Sequence, residues 1–190
     1  MLILILLYID RYTESMNKHR VYVFIDASNV WNAQKAKGKL FDYQNLVTYL
    51  KKEHNASVLK VFYYTAYPKK ETRVYDVSRK HAFYTYLKKS LGFIVRKKPL
   101  KQIRITIGGI NKTIEKGDMD VELTLDVVNN KYFFDTMLLF TGDSDYIALV
   151  NYLQNNGKKV YVYSSKNNIS RELRTGGNGY IDILNIKANI

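Results

Sequence analysis

Three acidic motifs of the sequence contain the side chains that metal-assisted hydrolysis requires. DASN (26–29) directly follows the apolar run VYVFI, and TGDSD (141–145) directly follows TMLLF. KGDMDVE (116–122) lies between them. Carboxylates that converge repel one another unless a cation compensates their charge. Oxygen ligands suit Mg²⁺ or Mn²⁺, which can generate a hydroxide nucleophile and stabilise the leaving oxygen when a phosphodiester is hydrolysed.

Each motif also has a structural interpretation. Asp26 with Ser28 or Asn29 is favoured as a helix N-cap, and the residues over 142–145 have the same capping chemistry. Asp118 and Asp120 are favoured near a helix start by the helix dipole. The metal-site hypothesis is stronger than these separate interpretations because every motif either follows a predicted strand or opens a predicted helix of the same α/β domain.

The spacing within the middle motif does not select a single ligand. Glu122 and Asp126 share one helix face, and Asp126 lies about 240° around the helix from Asp120. Asp118 precedes Asp120 by two residues and therefore points in another direction. From the residues alone, all four acids stay candidates.

Alternating strands and helices must position the motifs. The apolar runs predict strands over Val21–Ile25, Val58–Thr65, Phe93–Arg96, Thr136–Phe140, Lys159–Tyr163 and Tyr180–Leu184. Helices are predicted after the first strand, over Asp42–His54, Glu71–Leu91, Asp118–Asn130 and Asp145–Asn155, and from Ser170. This order predicts an α/β fold, a three-layer α/β/α domain with a mainly parallel central sheet. In such Rossmann-like sheets the site lies at the carboxyl ends of the strands, near the topological switch point.

A β-hairpin is predicted as an insertion into this alternation. Gly108-Gly109 separates the β-rich runs Ile103–Ile107 and Ile110–Ile114, which is a signal for a two-residue turn. With that turn, Lys101 lies opposite Lys116. Two cations would then meet at the open end of the hairpin.

The composition limits the classes of function. The 190 residues include 30 Lys and Arg against 17 Asp and Glu, a net charge of +13, and no cysteine. The absence of cysteine excludes disulfides, thiolate metal sites and a cysteine nucleophile. The positive charge predicts a polyanionic partner, either a nucleic acid or an anionic membrane surface.

The charge is segregated along the chain. Twelve basic residues and two acids lie between Lys69 and Arg104, whereas seven acids and one base lie between Asp118 and Asp145. A uniform bias in composition does not produce adjacent blocks of opposite sign, so we expect two surfaces with different tasks. The basic block is expected to bind the phosphate backbone of a nucleic acid through Lys97, Lys98, Lys101 and Arg104.

The first residues are expected to lie outside the domain. Residues 1–19 are predicted to be an N-terminal extension and residues 20–190 the domain itself. The apolar run over 1–7 follows no Lys or Arg, precedes no small-residue cleavage site, and is far shorter than the roughly 20 residues of a membrane span. We therefore expect a cytoplasmic protein with no membrane partner.

Serine catalysis and base stacking are the remaining possibilities. The sequence places no general base beside Ser28 or Ser144. A Ser-His-Asp site is therefore much less favoured than a metal site. Trp31, Tyr63, Tyr64 and Tyr67 could stack on bases, although core packing is the expected role of Trp31, Tyr63 and one of the other tyrosines.

The three motifs together resemble a known family. FIDASN, KGDMDVELTLD and FTGDSDY look like the motifs of the NYN domain, a PIN-like ribonuclease fold, and are closest to its LabA-like stand-alone branch. The resemblance covers about residues 20–185. It implies a PIN-like sheet, a Mg²⁺ or Mn²⁺ site and endonucleolytic cleavage of RNA, most readily single-stranded RNA.

The resemblance also implies roles for individual residues. By motif match, Asp26, Asp120 and Asp143 are the catalytic and metal-binding acids, and Asp145 is a further acidic position. The residues beside these acids are expected to bind substrate: Ser28, Asn29, Lys116 and Ser144. Asp118 departs from the pattern because an apolar residue is common at its position. Two classes of function follow, a metal-dependent endoribonuclease and a non-cleaving RNA-binding module on the same fold, and either is compatible with a homodimer.

Overall fold

The computed structural model describes residues 18–38, 41–68, 78–108 and 110–186. Several sequence predictions concern residues outside these ranges. They are the first 17 residues of the expected extension, the start of the helix predicted from Glu71, Gly109 of the predicted turn, and the basic residues Lys69, Lys70 and Arg73.

The described residues alternate between strands and helices. The strands are β1 (Arg20–Asp26), β2 (Val58–Tyr67), β3 (Ile94–Pro99), β4 (Lys101–Ile107), β5 (Ile110–Lys116), β6 (Thr136–Phe140), β7 (Lys159–Ser164) and β8 (Gly179–Asp182). The α-helices are α1 (Ala27–Lys37), α2 (Tyr43–Glu53), α3 (Ser78–Lys89), α4 (Asp120–Asn130), α5 (Ile147–Asn155) and α6 (Arg171–Gly176). Two 3₁₀ turns, Lys131–Phe133 and Ser144–Tyr146, precede β6 and α5.

Six strands form one sheet in the order β3-β2-β1-β6-β7-β8. Each pairing in this sheet is parallel. The chain runs outward from β1 to β3 on one side and outward from β6 to β8 on the other, so the topological switch point lies between β1 and β6. The predicted α/β fold with a parallel central sheet is confirmed, and Asp26 and Phe140 mark the carboxyl ends of the two strands at the switch point.

Side chains of the sheet alternate between two separate cores. Val21, Val23 and Ile25 of β1 pack with Leu46 and Leu50 of α2 in one cluster. On the other face, Tyr22 and Phe24 pack in a second cluster that includes residues of α4 and α5. Because strand side chains alternate faces, β1 and β6 can be apolar along their length only when both faces are covered. The fold therefore has three layers.

The β4–β5 hairpin forms a separate two-stranded sheet. Its strands extend two residues beyond the predicted ends at the open side, and Lys101 pairs with Lys116 as predicted. Most of its described side chains are exposed, including Arg104. The hairpin therefore places a row of polar and basic groups beside the domain rather than in a core.

Two helices begin later than the sequence pattern predicts. α4 begins at Asp120 because Met119, whose side chain is only 7% exposed, occupies the N-cap position, so Asp118 precedes the helix. α5 begins at Ile147, since the residues from Ser144 to Tyr146 form the 3₁₀ turn. Among the described residues, no helix has both the length and the apolar character that a bilayer span needs.

The expected core role of Trp31 is wrong. Its side chain is 54% exposed, because Ala27, Val30 and Ala33 form the buried face of α1 and leave Trp31 at the side. Tyr63 and Tyr64 are buried, as expected for two of the tyrosines.

Candidate active site

Asp26 joins the end of β1 to the end of β6. Its Oδ1 accepts hydrogen bonds from the Ser28 backbone N–H at 3.1 Å and from the Ser28 hydroxyl at 2.6 Å. Its Oδ2 accepts a hydrogen bond from the Thr141 hydroxyl at 3.2 Å. The predicted N-cap role is thus present, and the same carboxylate is also bound to Thr141, the first residue of the motif TGDSD that follows β6.

Asn29 fixes the loop that follows β6. Its Oδ1 accepts hydrogen bonds from the Gly142 backbone N–H at 2.9 Å and from the Asn168 side chain. Gly142 has no room for a side chain, since a Cβ there would lie 2.0 Å from the Asn168 carbonyl oxygen. The first acidic motif therefore sets the position of the loop that carries Asp143.

Asp143 caps the 3₁₀ turn after β6. Its Oδ1 accepts a hydrogen bond from the Asp145 backbone N–H at 3.0 Å, and its own N–H donates to the Thr141 hydroxyl at 3.3 Å. Asp143 is half-buried, whereas Ser144 and Asp145 are exposed. Asp143 is therefore the least exposed of these three residues.

Asp120 approaches the same place from the first turn of α4. Its Oδ1 accepts a hydrogen bond of 2.6 Å from the Tyr146 hydroxyl. Burial raises the pKa of Asp120, the Tyr146 hydrogen bond lowers it, and the negative charges of Asp118, Asp26 and Asp143 raise it further. The last effect places Asp26 and Asp143 each within electrostatic range of Asp120.

The other acids of α4 are engaged in ion pairs. Arg96 Nε lies 2.9 Å from Asp126 Oδ2, and the Tyr64 hydroxyl donates to the same oxygen at 2.9 Å. Lys98 Nζ lies 2.7 Å from Glu122 Oε1. Their negative charge is thus neutralised locally by β3. Of the four acids that the spacing left open, Asp120 is the one whose pKa is raised by the charges of both Asp26 and Asp143.

The donor set at the switch point fits a hard divalent cation. Within the described part of the chain, Asp26, Asp120 and Asp143 have no Lys or Arg within ion-pair distance, and Oδ2 of Asp120 and of Asp143 accepts no hydrogen bond. The described acids and histidines nevertheless include no group of three that is close enough to hold a metal ion. The carboxylates therefore have the negative charge and the oxygen ligands that such a site needs, but they are not spaced at coordination distances.

Five of the eight expected substrate-binding residues lie beside Asp26 or on the hairpin. Ser28 and Asn29 lie beside Asp26 and use their polar groups in the hydrogen bonds described above. Lys101, Arg104 and Lys116 are exposed on the hairpin, and the described residues offer none of them an acidic partner within ion-pair distance. These three cations are available to an anionic ligand.

The two lysines of β3 are less free than the sequence suggests. Lys98 is paired with Glu122, so it is not presented as an isolated cation. Lys97 Nζ lies 3.4 Å from His81 Nδ1 and 5.7 Å from the centre of the Tyr84 ring. The cause is tertiary, because β3 lies against α4 on one side and α3 on the other.

Sequence reasoning missed the residues that position the acids. Thr141 and Tyr146 hold Asp26 and Asp120, and Asn168 holds Asn29 from the loop after β7. Thr141 and Tyr146 do lie within the FTGDSDY motif, so their proximity to Asp143 was a usable signal. Asn168 had none, since its contact spans most of the chain.

The comparisons with known proteins agree with the fold. A family model of the NYN domain matches residues 20–184. The low amplitude and bright protein LabA of Synechococcus elongatus is 29% identical over 171 residues, which are 90% of this chain and 87% of that protein. A crystal structure of a protein of unknown function from Vibrio parahaemolyticus matches with a TM-score of 0.67 at 25% identity and covers 87% of this chain and 93% of its own. Because the family match extends from β1 past β8, the chain belongs to the NYN domain family, whose fold is PIN-like and of the nuclease type.

Proposed function

We propose that this protein is a metal-dependent endoribonuclease that hydrolyses phosphodiester bonds of RNA. The observation that carries the proposal is that Asp26 and Asp143 lie within electrostatic range of Asp120, and that none of the three has a basic partner among the described residues. Membership of a nuclease-type family supports the same reaction class.

The three carboxylates would hold Mg²⁺ or Mn²⁺, with Asp145 as an additional acid at the solvent side. The bound ion would supply a hydroxide nucleophile and stabilise the leaving oxygen. Thr141 and Ser28 orient Asp26, and Tyr146 orients Asp120. The chain's own contribution is therefore to keep three negative groups together by hydrogen bonds from neutral donors.

The hairpin would hold the RNA backbone. Lys101 and Lys116 face each other across the open end, and Arg104 lies further along β4. Lys116 ends the strand four residues before Asp120, which places this positive end beside the carboxylates along the chain. An RNA backbone bound along the hairpin would thus extend toward the acids.

End-labelled single-stranded RNA and DNA, incubated with the protein and Mn²⁺ or Mg²⁺, test the proposal. We expect RNA cleavage that EDTA abolishes. Asp26→Asn and Asp143→Asn should each lower the cleavage rate by about a hundredfold or more while RNA binding persists, because removing a carboxylate weakens metal binding and not the basic surface.

Glu53→Gln is the matched control, because it removes one exposed negative charge at the end of α2 and should leave the rate unchanged. Equal cleavage by the wild type and both aspartate variants would indicate a contaminating nuclease and overturn the assignment.

A non-cleaving RNA-binding module is the second candidate. One observation favours it: among the described residues, no three acids or histidines are close enough to hold a metal ion. RNA binding by the wild type without metal-dependent cleavage would support this candidate over the first.

A further inference from the structure

A large cavity opens beside the candidate active site. Its volume is about 790 Å³, within the roughly 300–1,000 Å³ typical of small-molecule sites. Ala27 and Ser28 line it at the start of α1, and Gly117 lines it within the acidic motif KGDMDVE. Ser28 therefore lines the cavity and also donates a hydrogen bond from its hydroxyl to Asp26.

Aromatic rings form much of the cavity wall. Tyr43, Tyr63 and Phe83 contact one another, with Tyr43 and Tyr63 at 5.7 Å and Phe83 at 5.8 Å from Tyr43. Trp31 lines the same cavity with a side chain that is 54% exposed. A rigid aromatic wall with an exposed indole beside it suits a flat heteroaromatic ring.

One polar group in this wall lacks a partner. Gln34 lines the cavity and is 3% exposed, yet its Nε2 is buried without a hydrogen-bond acceptor among the described residues. Buried donors are nearly always paired in native proteins, so an unpaired one calls for an explanation. A ligand that offers an acceptor at its ring edge would satisfy it.

Two cations complete the lining. Arg79 and Lys80, at the start of α3, line the cavity and are exposed. The cavity thus combines aromatic faces, an amide donor and positive charge. Nucleotides combine an aromatic face, hydrogen-bond acceptors at the base edge and a phosphate, which is the complementary set.

We propose that this cavity is a nucleobase subsite, which takes one base of the RNA strand while the adjoining backbone lies at Asp26. The inference rests on the proposed function only in naming RNA as the source of the base. Gln34 would select bases through an edge acceptor, and Trp31 would stack on the base or cover it. The enzyme would then cut at a fixed distance from a preferred base.

The fluorescence of Trp31 tests binding directly, because it is the one tryptophan of the chain. The full-length protein in EDTA is titrated with AMP, GMP, CMP, UMP and single-stranded tetraribonucleotides, with excitation at the red edge of indole absorption. We expect a saturable change, tighter with a tetramer than with any mononucleotide. Saturation by mononucleotides alone would identify a free-nucleotide site and overturn the assignment to RNA.

Gln34→Met tests the amide without emptying the cavity wall. We expect affinity for the preferred base to fall about fivefold or more, because the variant cannot donate a hydrogen bond to the ligand. The melting temperature should stay the same or rise, because the variant removes a buried unpaired donor. A melting temperature lowered by several degrees, or unchanged affinity, would overturn the proposal by showing a structural role for the amide. Phe133→Ala, which truncates an exposed aromatic residue outside the cavity, should leave binding unchanged.

The two proposals fail separately. Saturable binding by Trp31 fluorescence without cleavage in metal would remove the ribonuclease and keep the base subsite. Metal-dependent cleavage without any saturable fluorescence change, and with the same fragment pattern for the wild type and Gln34→Met, would keep the ribonuclease and remove the subsite.

Discussion

Hydrogen bonds from neutral donors hold the three carboxylates of the site. The Thr141 and Ser28 hydroxyls bind Asp26, the Tyr146 hydroxyl binds Asp120, and a backbone N–H binds Asp143. Neutral donors orient a carboxylate without cancelling its charge, whereas the ion pairs on Glu122 and Asp126 do cancel it. At the scale of residues, this difference separates acids that can hold a cation from acids that stabilise the fold.

Tyr146→Phe tests whether orientation of Asp120 matters. The change deletes the hydroxyl that donates to Asp120 Oδ1 and keeps the buried ring, which is 2% exposed. We expect the metal-dependent cleavage rate to fall about tenfold, since a hydrogen bond to a charged group contributes about 1.5–3 kcal/mol. RNA affinity should be unchanged. Single-turnover cleavage and RNA titration measure the two quantities.

Tyr152→Phe is the matched control, because its hydroxyl contacts Lys131 and not an acid of the site. Its cleavage rate should equal that of the wild type. A Tyr146→Phe protein as active as the wild type would show that Asp120 needs no orientation by this hydroxyl.

The sheet and the hairpin carry groups of opposite charge. The sheet places the acids at the ends of β1 and β6, and the hairpin, outside that sheet, carries exposed cations. β3 is a strand of the sheet and also lies in the basic block of the sequence. Its Arg96 and Lys98 are bound to acids of α4. The basic block of the sequence is therefore partly structural, and it has exposed cations outside these ion pairs on the hairpin and on α3.

Charge reversal on the hairpin should change the salt dependence of RNA binding. For Lys101→Glu with Arg104→Glu, we expect weaker binding and a shallower slope of log affinity against log salt. The slope should change by about 0.7 for each phosphate of single-stranded RNA that the variant no longer neutralises. Titrations at several salt concentrations measure the slope.

Lys51→Glu reverses an exposed charge in the last turn of α2 and should keep the wild-type slope. If the hairpin variant also kept that slope, the RNA-binding surface would lie elsewhere.

In the described residues, the acids of the candidate site lie at the carboxyl ends of the strands, and a cluster of histidine hydrogen bonds lies at the amino ends. At the amino edge, His19 donates from Nδ1 to the His54 carbonyl oxygen at 2.9 Å, and its Nε2 lies 2.8 Å from the Thr136 hydroxyl. His54 Nε2 lies 2.7 Å from the Tyr163 hydroxyl, and its ring packs on Tyr161 at 5.0 Å. This half-buried cluster joins α2, β1, β6 and β7.

Protonation of His54 should destabilise the folded protein. Burial lowers the pKa of His54 below its ordinary value of 6.5, the charge of Glu53 opposes this, and His19 adds to it. A lowered folded-state pKa means that the unfolded chain binds the proton first. The stability is therefore complete above about pH 6.5 and is lost as the pH falls through the folded-state pKa.

Chemical denaturation of the wild type and His54→Gln, near pH 7 and near pH 5, measures this effect. The free energy of unfolding of the wild type should fall more between these two pH values than that of the variant. Equal falls would show that protonation of His54 is not linked to unfolding.

Local patterns were sufficient for most of the fold. The runs VYVFI and TMLLF predicted buried strands because only strands covered on both faces are continuously apolar, and both strands are found there. The Gly-Gly turn predicted the register that pairs Lys101 with Lys116. Prediction failed for Trp31, because the side of a helix that faces a cavity looks the same in sequence as the side that faces a core.

Residue types and the spacings within short segments were enough to establish the parallel α/β order, the three acidic motifs and the family. Packing between distant segments decided which acid of α4 lies within electrostatic range of Asp26 and Asp143, which lysines are already paired, and that a cavity with an unpaired amide lies beside Ser28. These features depend on contacts between residues far apart in the chain, such as Asn29 with Asn168. The direction in which a side chain points, and what it meets there, is fixed only when β1, β6 and the segments around them pack together.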